Sequence, residues 1–223
     1  MNLLEIEGLE KAFFDAEGNC AARISVPSLA LDEGEMLILE GPSGSGKTTV
    51  LHLISGLLKE DTGSIIFDGT ELTELPARER DRFRARNIGY IFQKLNLLDA
   101  LTVEENIIIA SKWTGREAVR AHARARELLD TVGLVTKAGM RPSRLSLGEQ
   151  QRIAILRAVF NSPRLILADE PTASLDRANA DTVLKLLKEL CSQNNAALLL
   201  STHDEYVKGQ FKRRYNMRTG ETN

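Results

Sequence analysis

The sequence predicts an α/β fold built on a parallel sheet, and three observations carry that expectation. Short apolar runs of strand character alternate with stretches of helical periodicity. One run, Met36 to Leu39, leads directly into a glycine-rich loop that opens a helix at Lys47. Another, Leu165 to Ala168, is apolar throughout, as strands covered on both faces are, and ends in the carboxylates Asp169 and Glu170.

Taken in order, Leu3 to Ile6 and Ala22 to Val26 read as strands, and Asp32-Glu33-Gly34 reads as a turn before the strand at Met36. From Lys47 the apolar residues Val50, Leu51, Leu53, Ile54 and Leu57 fall at helical spacing. Ser64 to Phe67 is a short strand stopped by Asp68-Gly69, and Ile88 to Phe92 is another. Between about Leu98 and Arg144 helical spacing returns, clearest in Ala118, Ala121, Ala125, Leu128, Leu129 and Val132, which predicts a helical insertion. A helix after Gly148 runs to about Phe160, a helix covers Asn179 to Leu190, and a strand covers Ala196 to Ser201. Strands alternating with helices predict a parallel sheet covered on both faces.

Bulk properties narrow the function. Lys plus Arg number 29 against 31 Asp plus Glu, so the 223 residues carry a formal charge of only -2. A dedicated nucleic-acid binder shows a basic excess, and no nucleic-acid partner is expected. The basic stretches at 78–86 and 116–127, and Lys212-Arg213-Arg214, are read as solvated helix faces. Cys20 and Cys191 have no metal-ligand spacing and form no disulfide framework, so both are expected to pack in a protein of the reducing cytoplasm. The N-terminus lacks the order of an export signal, and no apolar run approaches the roughly 20 residues that span a bilayer. Membrane contact is therefore expected only through a partner. Trp113 is expected to pack or to touch that partner.

Gly41-Pro42-Ser43-Gly44-Ser45-Gly46-Lys47-Thr48 fits the P-loop pattern in the required context, between a strand and a helix. Its glycines let successive N–H groups and the positive helix end face phosphates. Lys47 would reach the β- and γ-phosphates and Thr48 would offer its hydroxyl to Mg²⁺. Ligands gather at the carboxyl ends of parallel strands, which puts Asp169 and Glu170 beside this loop. Asp169 would hold Mg²⁺, while Glu170 would orient and deprotonate an attacking water. Taken alone, the acidic pair is equally an end cap for the turn at Pro171.

The chain also carries Gln93 in YIFQ, Ser146 and Gly148 in LSLGEQQR, Ser174-Leu175-Asp176 after the acidic pair, and His203 in STHD. In that order, over nearly the whole chain, the set resembles the ABC ATPase family. The resemblance implies a P-loop NTPase with a RecA-like core, an ABC-type antiparallel β subdomain and a helical subdomain at about residues 95–160, inserted in one domain spanning residues 1–223. It implies ATP and Mg²⁺ as ligands, a homodimer with ATP sandwiched at its interface, and integral membrane permease subunits on the cytoplasmic face of the membrane. Catalysis falls to Glu170, His203, Lys47 and Gln93, and the metal to Thr48, Gln93 and Asp169. The nucleotide falls to Phe13, Gly41, Ser43, Gly44, Ser45, Gly46, Lys47, Thr48, Thr49, Ser146, Gly148 and Asp176. Gln93 would sense Mg²⁺ and the γ-phosphate and touch the membrane partner, His203 would contact the γ-phosphate, and Asp176 would lie at the dimer seam. Phe13 sits where the family stacks a ring on adenine, with Phe14 as its competitor.

The family's signature is usually Leu-Ser-Gly-Gly-Gln, so Leu147 and Glu149 depart from it. Ser146 and Gly148, which would meet the partner subunit's γ-phosphate, are retained. Ser146-x-x-Glu149 also fits a capping box, and the two readings coexist if ATP recruits the hydroxyl only on dimer closure. The segment YIFQKLNLLDALTVEENI resembles the branch that serves lipoprotein release, macrolide export and cell division. Alternatives are a soluble ABC-type ATPase of DNA repair or translation, or a cell-division regulator that moves no solute.

Overall fold

A computed structural model describes residues 2–113 and 117–222. Strands β1 (Asn2–Phe14) and β2 (Cys20–Asp32) form a long antiparallel hairpin with Leu9 opposite Val26 and Phe13 opposite Ala22. Both run well past the apolar runs that betray them, because no residue of their distal halves is fully buried and the period-two burial is lost there. With β4 (Thr62–Phe67) and β5 (Thr70–Glu71) they make a four-stranded sheet in the order β2-β1-β4-β5.

The second sheet holds β3 (Met36–Glu40), β6 (Ile88–Ile91), β7 (Leu165–Asp169), β8 (Ala197–Ser201), β9 (Arg213–Asn216) and β10 (Glu221–Thr222). Its order is β10-β9-β3-β8-β7-β6, parallel throughout except for β10. Helices α1 (Lys47–Ile54), α2 (Ala77–Asn87), α3 (Val103–Ile108), α4 (Ala118–Thr131), α5 (Leu147–Val159), α6 (Arg177–Asn194) and α7 (Glu205–Lys208) complete the chain, with short 3-10 turns at Ile109–Trp113, Val135–Lys137 and Pro142–Arg144. Asp176 starts α6 by accepting from the Asn179 N–H, and Asn195 ends it in the left-handed conformation.

The strand period of two sorts the central sheet into two cores. Leu37, Leu39, Leu165, Leu167 and Leu199 face α1 and the antiparallel sheet, while Ile38, Ile166, Ala168, Leu198 and Leu200 face α3, α4, α5 and α6. Each such leucine or isoleucine contributes about 1.5–3 kcal/mol on full burial. The parallel sheet is therefore covered on one side by helices and on the other by a second sheet with α1.

Three expectations change. Lys212-Arg213-Arg214 is no solvated helix: Arg213 and Arg214 lie in β9, and Arg213 pairs with Glu35 and donates to the Ala30 carbonyl at 3.1 Å. Its guanidinium is held by the Glu35 carboxylate and a β2 carbonyl. Cys20 does not pack; it is exposed at the outer end of β2, while Cys191 is buried in α6 and burial pushes its thiol up to about 12. Strands β9 and β10 had no apolar run to announce them, although Tyr215 in β9 is fully buried. The stretch at 78–86 is helical without a buried residue, as expected. Arg116 and the side chain of Trp113 lie outside the described residues.

Candidate functional site

The glycine-rich loop leaves β3 and enters α1 through Gly46, a left-handed N-cap at φ 91°. A Cβ there would lie 2.3 Å from the Ile24 side chain, so both backbone and space demand glycine. Gly46 contributes no capping side chain, which leaves the α1 N-terminus open to an anion. Beneath the loop, a Cβ on Gly41 would lie 2.5 Å from Ser45 Oγ, and that buried hydroxyl has no hydrogen-bond partner.

Lys47 is only 7% exposed, and its ammonium donates to the carbonyls of Gly41 at 2.9 Å and Pro42 at 3.0 Å. A nearly buried cation bonded to neutral carbonyls is matched poorly by its own chain and well by an incoming phosphate. Thr48 donates its hydroxyl to Asp169 Oδ2 at 2.8 Å. Ser201 donates to Asp169 Oδ1 at 2.6 Å and accepts from the Glu170 N–H at 3.2 Å. One hydroxyl at the end of β8 thus positions both acids at the end of β7.

Glu170 has φ 47°, a costly conformation for a residue with a side chain, held by a second bond from its N–H to the Ser201 carbonyl at 3.1 Å. The twist leaves the Glu170 carboxylate 2.8 Å from His203 Nδ1. The glutamate side chain is 10% exposed and the histidine 67%, so the ring meets solvent while the acid stays sheltered.

These groups line one cleft of about 510 Å³. Phe13, Ser43, Gly44, Gly46, Lys47, Thr48, Thr49, Gln93, Asp169, Glu170 and His203 all border it, with Ala22 and Ile24 of β2. Phe14 does not border it and is 65% exposed. Gly41 and Ser45, expected to contact the nucleotide, do not border it. Its lining includes a hydroxyl and a carboxylate meeting at 2.8 Å and the Gln93 side chain, which together offer hard oxygen donors that fit Mg²⁺.

Ser146, Gly148 and Asp176 do not border this cleft. They form a separate patch at the start of α5. Ser146 caps the helix by accepting from the Glu149 N–H at 3.4 Å, and Glu149 returns a carboxylate to the Ser146 N–H at 3.0 Å. Glu149 also pairs with Lys137 at 2.5 Å, and that ammonium holds its carboxyl below the usual range. The departure from glutamine thus has a local purpose. Gly148 packs on Asn179, whose Oδ1 would lie 2.8 Å from an added Cβ. Asn179 in turn donates to Asp176 at 2.7 Å through its amide and 2.9 Å through its N–H, which holds the Asp176 carboxyl low. Leu147 is 45% exposed on top.

Sequence reasoning overlooked Ser201, Asn179 and Ile24. The signal for Ser201 was a hydroxyl closing an apolar strand next to one closing in carboxylates. Asn179 and Ile24 act only through a neighbour's missing Cβ, which a single sequence does not display.

Residues 24–173 match the family described as ABC transporter. Two solved structures of the cassette MJ0796 share the fold over nearly the full length. One, described as a dimeric post-hydrolysis state bound to ADP and phosphate, is 30% identical with a TM-score of 0.86 and covers 99% of this chain and 97% of its own. The other, described as the dimeric structure of a bacterial ABC transporter cassette, is 32% identical with a TM-score of 0.85, covering 96% and 93%. Among the described residues no helix is long and apolar enough to cross a membrane.

Proposed function

The chain belongs to the ABC transporter family and carries its ATPase domain, and from that premise we propose that it is the ATP-hydrolysing subunit of a membrane export, lipoprotein-release or mechanotransmission complex. The observation that carries the reading is the convergence of Lys47, the Thr48–Asp169 pair and the Glu170–His203 pair on one cleft beside an uncapped helix start. Lys47 exchanges its two carbonyls for the β- and γ-phosphates. Glu170 orients a water and accepts its proton as the water oxygen bonds to the γ-phosphorus and the bridging oxygen leaves with ADP. His203, fixed by Glu170, donates toward the γ-phosphate oxygens. Thr48, Asp169 and Gln93 would hold Mg²⁺, which when bound neutralises charge on those oxygens. Phe13, on the cleft wall, stacks on the adenine in preference to Phe14.

Ser146, Gly148 and Asp176 lie outside the cleft, and the solved relatives are dimers, which together support a homodimer in which each α5 start closes the partner's cleft. Residues 95–160 form the helical subdomain of one domain, residues 1–223. A groove of about 360 Å³ lined by Leu57, Tyr90, Phe92 and Arg157 lies one residue from Gln93 and offers a seat for a cytoplasmic segment of the permease. The chain is then cytoplasmic and peripheral, held at the membrane by that contact.

The test is capture of a tagged Glu170→Gln chain from native membranes solubilised with ATP, followed by mass spectrometry, alongside phosphate release by the parent. An abundant multi-span membrane protein supports the motor reading. Ribosomal or DNA-repair proteins alone would replace it with a soluble ATPase.

A further inference from the structure

The segment that follows Gln93 has no ladder of its own. Residues 93–98 belong to neither helix nor strand, and Asn96 is left-handed at φ 50°. Backbone groups without regular partners must be satisfied by something else. Here two carbonyls are satisfied by one side chain. Arg157, in the last turn of α5, donates Nη2 to the Leu95 carbonyl at 2.6 Å and Nη1 to the Asn96 carbonyl at 2.7 Å.

An arginine at a helix end ordinarily complements the last carbonyls of its own helix. This guanidinium instead leaves its helix for carbonyls 61 and 62 residues away. Among the described residues no carboxylate pairs with it, and burial pushes it below the ordinary arginine range. A partly buried cation kept for two neutral oxygens on an irregular segment is placed for geometry. At the other end of the segment Asn106 of α3 makes the matching attachment, accepting from the Leu98 N–H at 2.7 Å and donating to the Leu98 carbonyl at 3.0 Å.

We propose that Arg157 is a positioning residue for ATP turnover: it fastens the segment bearing Gln93 to the far end of the helix that begins at Ser146. The inference rests on the ATPase reading above. Helix α5 is a rigid rod of about 16 Å between those points, at roughly 1.5 Å per residue. Displacement of its start, where the partner's nucleotide would press, therefore reaches Leu95 and so the Gln93 amide in this chain's own cleft. The planar fork matters because two parallel donors fix direction as well as distance, which a lysine does not reproduce.

Steady-state hydrolysis of Mg-ATP by the intact chain tests this with Arg157→Met, which keeps the aliphatic stem, and Arg157→Lys, which keeps the charge. Arg157→Met should lower kcat at least about tenfold with KM for ATP within about threefold, and Arg157→Lys should recover part of the loss. On a Gln93→Ala background Arg157→Met should cost no further kcat, because the amide it positions is gone. In parallel, a lysine-specific protease should cut the nucleotide-free Arg157→Met chain after the exposed Lys94 at least about fivefold faster than the parent. Additive losses in the double variant, or unchanged cleavage at Lys94, overturn the role. A parent that hydrolyses no ATP defeats the ATPase reading instead, and cleavage at Lys94 alone then decides whether Arg157 holds the segment. If Arg157→Met does not fold, Arg157→Lys must show the same non-additivity with Gln93→Ala.

Discussion

The cleft at the strand ends and the patch at the start of α5 are built on opposite plans. In the cleft the side chains are held by partners distant in sequence: Thr48 by Asp169, Asp169 by Ser201, Glu170 by His203. In the patch the bonds span at most twelve residues, Ser146 with Glu149, Asp176 with Asn179 and Glu149 with Lys137, and Leu147 stands exposed beside them. The cleft is therefore preorganised by its own chain. The patch is a self-capped helix start in which the Ser146 oxygen only accepts, over a long 3.4 Å bond from the Glu149 N–H, so its hydroxyl hydrogen remains to be donated to an incoming acceptor. In the dimer proposed above, one half is preorganised for chemistry and the other for a partner.

The sharpest way to break this contrast is Glu170→Gln. It should retain ATP binding, lose about 10²- to 10⁴-fold in turnover and accumulate a closed dimer, read by phosphate release and light scattering with saturating Mg-ATP. A variant that stays monomeric sinks the idea that the patch completes a partner's cleft. Next is Ser201→Ala, which removes the hydroxyl serving both acids. Leaving Asp169 without that bond should cost about 1–3 kcal/mol of stability in denaturant titrations and lower kcat more than it raises KM. Equal activity in parent and variant would show that Thr48 alone positions Asp169.

In the patch the expected effects are smaller. Leu147→Gly should hydrolyse ATP at least as fast as the parent while losing up to about 1 kcal/mol of stability, since glycine is a poor helix former. A marked loss of turnover would mean that the leucine makes a needed contact across the seam. Smallest is Glu149→Gln, which keeps the capping box and deletes the charge beside Lys137. The carboxyl of Glu149 is held low in the folded chain, so its contribution is present above the unfolded value of about 4.3 and is lost as pH falls through the folded value. Thermal melts should therefore separate parent from variant by at most about 1 kcal/mol at neutral pH and converge in acid.

Legibility followed the same division. The residues of the cleft sit where strands end in chemically distinctive side chains, so Gly46, Lys47 and Asp169 could be placed at the strand ends from motif and spacing, while His203 was legible only through the family resemblance; the fold class followed from the alternation of strands and helices. The hairpin was visible only where one face is buried. Its outer ends bury no residue and so lack the alternation that marks a strand, and β9 and β10 are mostly polar or charged, with β9 paired to β3 far along the chain. Residues that act by occupying space beside a glycine, Ile24 at Gly46 and Asn179 at Gly148, were invisible for the same reason. The misreading of Arg213 shows how a basic run changes meaning once a strand brings Glu35 beside it.

The alternation of Leu37 and Ile38, or Leu167 and Ala168, to opposite sides of one sheet has a thermodynamic corollary. The two cores share a single wall one residue thick, so neither can melt without wetting the back of the other. Heat should meet one cooperative transition and not two, even though the chain is large enough to carry separate units. Nucleotide bound at the edge of that wall would then raise the melting point of both cores together.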